Sequence, residues 1–479
     1  MPTSFFNTFN HNTLEDDAVA YYPDSIDSVL QKLDQSSTVN EVSFAIFSIE
    51  LRISLFNEIK TALHSGKDEL RSLYCRESGL SEIRYNSEFE RVIYQLEHFA
   101  SFLKNGGLND ENEIKLINGK QVSFQRCIEP IGNVLVIGAS NFPLAYSSIG
   151  GDVVSALAAG CSVVYKVHPY HIGTSLYVAN LIGSCLSRLS LSPLLYTHYI
   201  DNPSNSVTKS VILSGQIDAV GFTGSQSVGR YLMDLCAALP YPIPVFAEMG
   251  SLNPVVLCSK ELENNEQKYA DLLAVSITND AGQFCTKPGL IFYPKNQQSE
   301  VFKEKLIFAV AQEPHFQMLH PVINDRYQKS LNSLFKHADA EVLLRQPGSN
   351  SIHGEKVLLK VSSKSFIDNN CFQEEAFGPF ALLVEYCDER DLLSLLSSLN
   401  GQLTGTIIGN EHDRALPNVI SILRKKCGRL ILNGVPTGVN VLSTMHHGGP
   451  YPSSSDSRFT AVGHKSVYRF IRPVTFQNF

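Results

Sequence analysis

"NVLVIGASNFPLAYSSIGGDVVSALAAGCSVVYKV", residues 133–167, contains two short runs of continuous apolar residues, Val134–Ile137 and Val163–Tyr165. A strand with one wet face alternates polar and apolar residues; these runs do not, so both of their faces are buried. Between them "SSIGGDVVSALAAG" has helical spacing and stops at Gly160. Buried strand, helix, buried strand is the repeating unit of a parallel sheet covered by helices, and it predicts a doubly wound α/β fold.

The same rhythm runs on through "TSLYVANLIGSCL" (174–186), "LLYTHYI" (194–200), "DAVGFTG" (218–224), "SVGRYLMDLCAAL" (227–239) and "PVFAEMG" (244–250). After Gly250 a second α/β series begins, with strands expected near 289–294, 341–345, 379–386, 403–409 and 428–434. Ahead of the first strand, residues up to about 110 read as helical, with apolar positions three and four apart at 25–35, 47–66, 67–79 and 88–107. Residues 114–132 then form two alternating runs joined by Asn118-Gly119, the dipeptide that supplies the positive φ angles of a tight hairpin. No internal repeat and no low-complexity tract interrupts this order.

With 479 residues, 43% of them hydrophobic, and a formal charge of −8, the chain offers no basic field for nucleic acid; its longest cationic run is Arg424–Lys426. The longest apolar stretch, 149–167, is broken by Asp152 and argues against a membrane span, and the first residues lack a basic, apolar leader, so the cytoplasm is the expected compartment. Ten cysteines are scattered without a C-x-x-C pair or a Cys/His cluster, so neither a disulfide framework nor a metal site is expected.

Chemistry concentrates at strand ends, where open α/β sheets place their functional groups. "GFTGSQSVG" (221–229) closes a strand and opens a helix; its Gly224-Ser225 turn either presents backbone N–H groups to a phosphate or is simply a helix start capped by Ser225. Asn141 ends the first parallel strand, Lys166 the second, and Glu248 lies on the strand that leads out of this region. In "NDAGQFCTKPG" (279–289), Cys285 is either one more packed thiol or a nucleophile.

Taken in order, "SNFP", "KVHP", "GFTGS", "AEMG", "GQFCT", "EEAFGP" and "HHGGPYPSSSDSRFT" resemble the NAD(P)-dependent aldehyde dehydrogenases, from about residue 40 to the end. Their forms are most similar to the branch that contains 2-oxoglutarate-semialdehyde (2,5-dioxopentanoate) dehydrogenase and the NADP-preferring fatty-aldehyde enzyme. The resemblance implies a Rossmann-like coenzyme domain (1–112 and 131–249), an α/β catalytic domain (250–452), and a β-ribbon with a C-terminal tail (113–130 and 453–479) that joins subunits into a homodimer or homotetramer.

It also implies roles. Cys285 is the nucleophile, Glu248 the general base, and Asn141 the amide that stabilises the oxyanion, while His447 matches a histidine near the nicotinamide or is a loop histidine held by backbone. Lys166 binds the adenosine ribose; Gly224, Ser225 and Val228 belong to the pyrophosphate turn and its helix; Glu375 and Phe377 flank the nicotinamide ribose. Pro169 stands where NAD-preferring members often carry a glutamate, so NADP is favoured over NAD, and no metal is expected.

Arg91 and Arg458 are candidate partners of a substrate carboxylate, or else members of surface ion pairs. Lys287 either lowers the thiol pKa or is a solvated lysine, and His168 and His171 are not read as metal ligands. The expected reaction oxidises 2-oxoglutarate semialdehyde to 2-oxoglutarate. Medium or long fatty aldehydes are the alternative, and a non-catalytic descendant of the fold is a third reading. CoA-acylating relatives usually lack the base, so Glu248 points to water as the acyl acceptor.

Overall fold

The computed structural model describes residues 5–43 and 47–479, the side chains of 36–43 excepted. The chain divides into two compact units: one runs through Ala247 and takes back Val441–Met445 and Phe459–Phe479, the other comprises Glu248–Asn440 with His446–Arg458.

The first unit starts with an antiparallel hairpin, β1 (Phe6–Asn10) and β2 (Glu15–Tyr21). The sequence reading of this region as wholly helical is corrected here. Five residues are too few to display a period, and the turn holds a non-glycine at positive φ, Leu14, where no Asn-Gly signal marks it. Tertiary contacts hold the hairpin: His11 N–H donates to Arg76 O, and Phe9 packs edge-on against the His11 ring.

Four helices follow, α1 (Ile26–Ser43), α2 (Ile49–Ser65), α3 (Lys67–Ser78) and α4 (Glu82–Lys104). Their limits are chemical. Ser48 and Ser81 cap α2 and α4 by accepting N–H bonds, and α3 ends at Gly79 in the left-handed conformation. The buried stripe of α4, with Tyr85, Phe89, Val92, Leu96, Phe99 and Leu103, follows the three-and-four spacing of an amphipathic helix.

β3 (Glu111–Ile117) and β4 (Lys120–Pro130) turn at Asn118 and Gly119, both at positive φ. The sheet of this unit comprises β5 (Asn133–Ile137), β6 (Ser162–Lys166), β7 (Tyr196–Tyr199), β8 (Ala219–Thr223) and β9 (Val245–Glu248), connected through α5 (Gly151–Ala159), α6 (Ile172–Arg188), α7 (Ser206–Leu213) and α8 (Gln226–Ala237). Strand order is β7-β6-β5-β8-β9, with β5 parallel to both neighbours. From β5 the chain winds outward to one side and then returns to the other, which makes the carboxyl ends of β5 and β8 the topological switch point. Asn141 follows β5 and Gly224-Ser225 follows β8, so the fold places both at that point.

In the second unit, β10 (Val255–Leu257), β11 (Leu290–Pro294), β12 (Glu341–Gln346), β13 (Lys356–Ser362), β14 (Phe380–Tyr386), β15 (Gln402–Ile408) and β16 (Cys427–Leu432) form one sheet. Its order is β12-β13-β14-β11-β10-β15-β16, parallel except for β12, which runs antiparallel on the edge. Leu257, Ile291, Leu358, Leu383 and Ile408 of these strands pack against Leu273, Ile277, Phe302 and Leu306 of the helices covering them. Two strands, β10 and β13, have no counterpart in the sequence reading: three residues carry no period, and β13 opens with a lysine, Lys356, whose ammonium is buried on Ala311 O and Glu313 O.

The last strand, β17 (Ile471–Gln477), returns to the first unit and pairs with β4, giving the order β17-β4-β3. No described helix is long and apolar enough to cross a membrane.

Candidate active site

Cys285 lies in the segment between a buried helix, Glu266–Thr278, and β11. The turn that delivers it is unusual: Asp280, Ala281 and Gly282 all have positive φ, of 46°, 55° and 63°. Left-handed backbone is unfavourable by roughly 1–2 kcal/mol for a residue with a Cβ. A Cβ on Gly282 would collide with Gly378 O and Ile277 O, so only glycine fits there. The loop is then pinned by one amide. Asn253, fully buried, donates from Nδ2 to Cys285 O (2.8 Å) and Lys287 O (2.9 Å), while its Oδ1 accepts from Thr404 Oγ1 (2.9 Å).

Cys285 Sγ is 3.5 Å from His447 Nε2, and the same nitrogen is 2.8 Å from Glu248 Oε1. His447 and Glu248 are 2% and 5% exposed, so the contact is shielded from bulk water. An ionised carboxylate only accepts; with Glu248 charged, the geometry assigns a proton to Nε2, shared between carboxylate and sulfur. Glu248 Oε2 is buried without a hydrogen-bond partner, which leaves one carboxylate oxygen for chemistry. His447 is held by tight backbone packing around its glycines: a Cβ on Gly428 would overlap Gly448 O, and one on Gly449 would overlap Gln402 O.

The three ligand-type atoms lie within 4.8 Å of one another. Nε2 has a single in-plane position, already given to Glu248, so the arrangement is a hydrogen-bonded chain, and a cation there would have to displace that bond. Elsewhere burial pushes thiols up, to about 12 for Cys161, Cys258 and Cys427 and to about 11 for Cys75 and Cys236. Those sulfurs are protonated and inert at neutral pH.

Glu375 and Phe377 sit in the segment before β14. The Glu375 carboxylate faces Gly250, where a Cβ would collide with Oε2, and it accepts the Ser251 N–H. Burial raises its pKa and the nearby Lys287 ammonium lowers it again. Lys287 is not the solvated lysine of the sequence reading: it is 1% exposed and donates to Ala376 O (3.1 Å) and Phe380 O (2.9 Å). The apolar shape of "TKPGLIFYP" carries no mark of this burial, because the two carbonyls come from a segment some 90 positions away.

In the first unit, α4 grips the segment after β5. Arg84 lays its guanidinium over Phe142 (4.0 Å) and donates to Asn141 O (3.0 Å); Glu88 accepts the N–H groups of Leu144 and Ala145 (2.8 Å each); Arg91 donates to Tyr146 Oη (2.7 Å). These three residues recur at helical spacing and so share one face. Arg91 is thus tied to a tyrosine of the Asn141 segment, whereas Arg458 is 81% exposed and paired with Asp456.

Lys166 ends β6, and burial pushes its ammonium below the usual lysine range, with Asp201 opposing. At the start of α8, Ser225 holds the cap position but makes no side-chain capping bond; its Oγ is 3.3 Å from Ser227 Oγ. Gly224, Ser225 and Val228 are exposed there. An uncapped helix N-terminus at a switch point, with a lysine two strands away at the end of β6, fits a dinucleotide pyrophosphate and ribose. His168 and His171 stack at 4.6 Å; His171 is bonded to Ser175 Oγ (2.9 Å) and Ala139 O (3.4 Å), a structural use of both ring nitrogens. Missed by sequence reasoning were Asn253, inside a motif but unassigned, and the Arg84/Glu88 support of Asn141, which only helical spacing on α4 hints at.

The sequence matches the aldehyde dehydrogenase family over residues 11–472. It is 34% identical to alpha-ketoglutaric semialdehyde dehydrogenase of Acinetobacter baylyi over 468 residues, 94% of this chain and 87% of that protein. It is also 34% identical to alpha-ketoglutaric semialdehyde dehydrogenase 2 of Azospirillum brasilense, covering 84% and 78%. Among solved structures, the glyceraldehyde-3-phosphate dehydrogenase GapN of Methanocaldococcus jannaschii, complexed with NADP, superposes with a TM-score of 0.83 at 18% identity, covering 100% of this chain and 99% of that one. Aldehyde dehydrogenase 21 of Physcomitrella patens, in complex with succinate, gives 0.81 at 17%, covering 99% and 95%. A half-buried thiol joined to a buried imidazole and carboxylate, an uncapped helix start at the switch point and a match across nearly the whole sequence lead to one conclusion: the chain belongs to the aldehyde dehydrogenase family and is an NAD(P)-dependent aldehyde-oxidising enzyme.

Proposed function

We propose that this enzyme oxidises 2-oxoglutarate semialdehyde, or a closely similar short acidic aldehyde, to the carboxylic acid through a thioester on Cys285. The observation that carries the chemistry is the Cys285–His447–Glu248 chain, with contacts of 3.5 and 2.8 Å. Glu248, whose carboxylate oxygen lies within 4.8 Å of the sulfur, takes the thiol proton, the His447 Nε2–H stabilises the thiolate, and the thiolate adds to the aldehyde carbon, whose π electrons move to oxygen. The "SNFP" motif is what supports Asn141 as the oxyanion donor; such a donor typically contributes roughly 3 kcal/mol to the barrier. A nicotinamide coenzyme would supply the acceptor for the hydride that the tetrahedral carbon loses. Glu248, once the thiol proton has passed to solvent, takes a proton from a water whose oxygen adds to the thioester carbonyl; the C–S bond breaks, the acid leaves, and the proton on Glu248 returns to the sulfur.

For the coenzyme, Lys166 would hold the adenosine ribose, the Gly224-Ser225 turn with Val228 the pyrophosphate, and Glu375 with Phe377 the nicotinamide ribose. Pro169 supplies no carboxylate against a 2′-phosphate, which supports NADP over NAD. The names of the 34%-identical relatives support the substrate, and Arg91, held at Tyr146 beside the Asn141 segment, is the cation we assign to its carboxylate. Arg458, exposed and neutralised by Asp456, has less to support it.

The test is a panel of short acidic, aromatic and long-chain aldehydes assayed by reduced-coenzyme absorbance with NADP and with NAD. Highest kcat/KM on the acidic aldehyde is expected. Preference for long-chain aldehydes would overturn the substrate, and no turnover with any aldehyde would overturn the catalytic roles.

A further inference from the structure

Lys287, two residues beyond the thiol, is one of the largest fully buried side chains among the described residues. Its backbone carbonyl and that of Cys285 are bonded to the same Asn253 amide, so the root of the side chain moves with the nucleophile. Its tip is bonded to the carbonyls of Ala376 and Phe380, the two ends of the turn that starts at Glu375. The Glu375 carboxylate in turn rests on Gly250 and Ser251, two and three residues beyond Glu248. One ammonium therefore ties together three segments: the thiol loop, the Glu375 turn and the stretch that leads on from the base.

A buried ammonium is expensive, and an apolar side chain of equal volume would fill the space at lower cost if filling were its only task. Two carbonyl dipoles satisfy two of its three protons but leave its charge uncompensated. The compensating anion is Glu375: burial drives the two groups toward neutrality, and each opposes that drift in the other.

We propose that Lys287 is a positioning residue for the coenzyme: its two hydrogen bonds fix the Glu375–Phe380 turn relative to Cys285, so that the nicotinamide ribose meets the Glu375 carboxyl group in register with the thiol. The proposal rests on the reading of Glu375 as a coenzyme residue.

The experiment compares Lys287→Met, Lys287→Gln, Glu375→Gln and the Lys287→Met/Glu375→Gln double variant in the full-length enzyme. Three quantities are read: NADP dissociation constant by fluorescence titration, rate of Cys285 alkylation by iodoacetamide in the absence of coenzyme, and melting temperature. Loss of one charge-assisted hydrogen bond corresponds to about tenfold or more in affinity, so Lys287→Met should weaken NADP by about tenfold with alkylation nearly unchanged. The double variant should bind no more weakly than Glu375→Gln alone, because Lys287 acts through Glu375. Normal NADP affinity in Glu375→Gln would sink the coenzyme reading of that carboxylate. Weakened NADP in Glu375→Gln with normal affinity in Lys287→Met, additive losses in the double variant, or failure of both Lys287 variants to fold would instead make Lys287 a structural staple and overturn the proposal.

Discussion

Cys285 is distinguished from the other nine cysteines by what touches it rather than by its own sequence. Replacing it with alanine should abolish turnover and leave NADP binding nearly unchanged, measured by steady-state assay and fluorescence titration. Glu248→Gln removes the acceptor of both the thiol's and the water's proton, worth roughly 10²–10⁴-fold in rate; a steady-state assay should read that loss in kcat, and rapid-quench measurement of acyl-enzyme should show its formation slowed as well. His447→Asn should slow Cys285 alkylation at neutral pH, since the thiolate loses the Nε2–H 3.5 Å away. His171 makes a different contribution. Burial lowers its pKa from 6.5 to about 4, so the unfolded chain binds the proton first as pH falls. Stability contributed by the neutral ring is present above about 6.5 and lost as pH drops toward 4, by about 3 kcal/mol in all. Urea unfolding midpoints at neutral and acidic pH should show that slope, flattened in His171→Gln.

At the scale of the element, α4 is the support of the Asn141 segment. Its sequence reads as an ordinary amphipathic helix, and its buried stripe was legible as such. The Arg84, Glu88 and Arg91 face was not, because a buried Glu88 taking two backbone N–H groups looks from sequence like a charge on a wet surface. Glu88→Ala leaves the Leu144 and Ala145 N–H groups unmatched, at roughly 1–3 kcal/mol each. Melting temperature and kcat should both fall, while Glu88→Gln, which still accepts, should lose less. The β1/β2 hairpin and the strands β10 and β13 escaped the sequence for a related reason: short elements are specified by their neighbours and not by their own periodicity.

For the whole molecule, the β17-β4-β3 sheet ends in a strand exposed along its length, with Ile114 70% and Leu116 72% exposed. An apolar, unpaired edge is a pairing surface, and we propose a second copy as its occupant. Paired Ile114→Lys and Leu116→Lys substitutions should shift the enzyme toward monomer in analytical ultracentrifugation; an unchanged mass would remove this edge from the interface.

The sequence by itself determined the alternation of buried strands and helices, the order of the motifs and, through them, the family. These are local: an uninterrupted apolar run or a Gly-Ser turn states its requirement within a few residues. Tertiary structure alone decided that His447 bridges Cys285 and Glu248, that Lys287 is buried against Glu375, that Ser225 leaves its helix uncapped, and that Asn253 pins the nucleophile loop. The His447, Lys287 and Asn253 contacts join partners between about 30 and 200 positions apart, and burial, which sets the strength of every such polar contact, is a property of the packed chain that no single segment encodes.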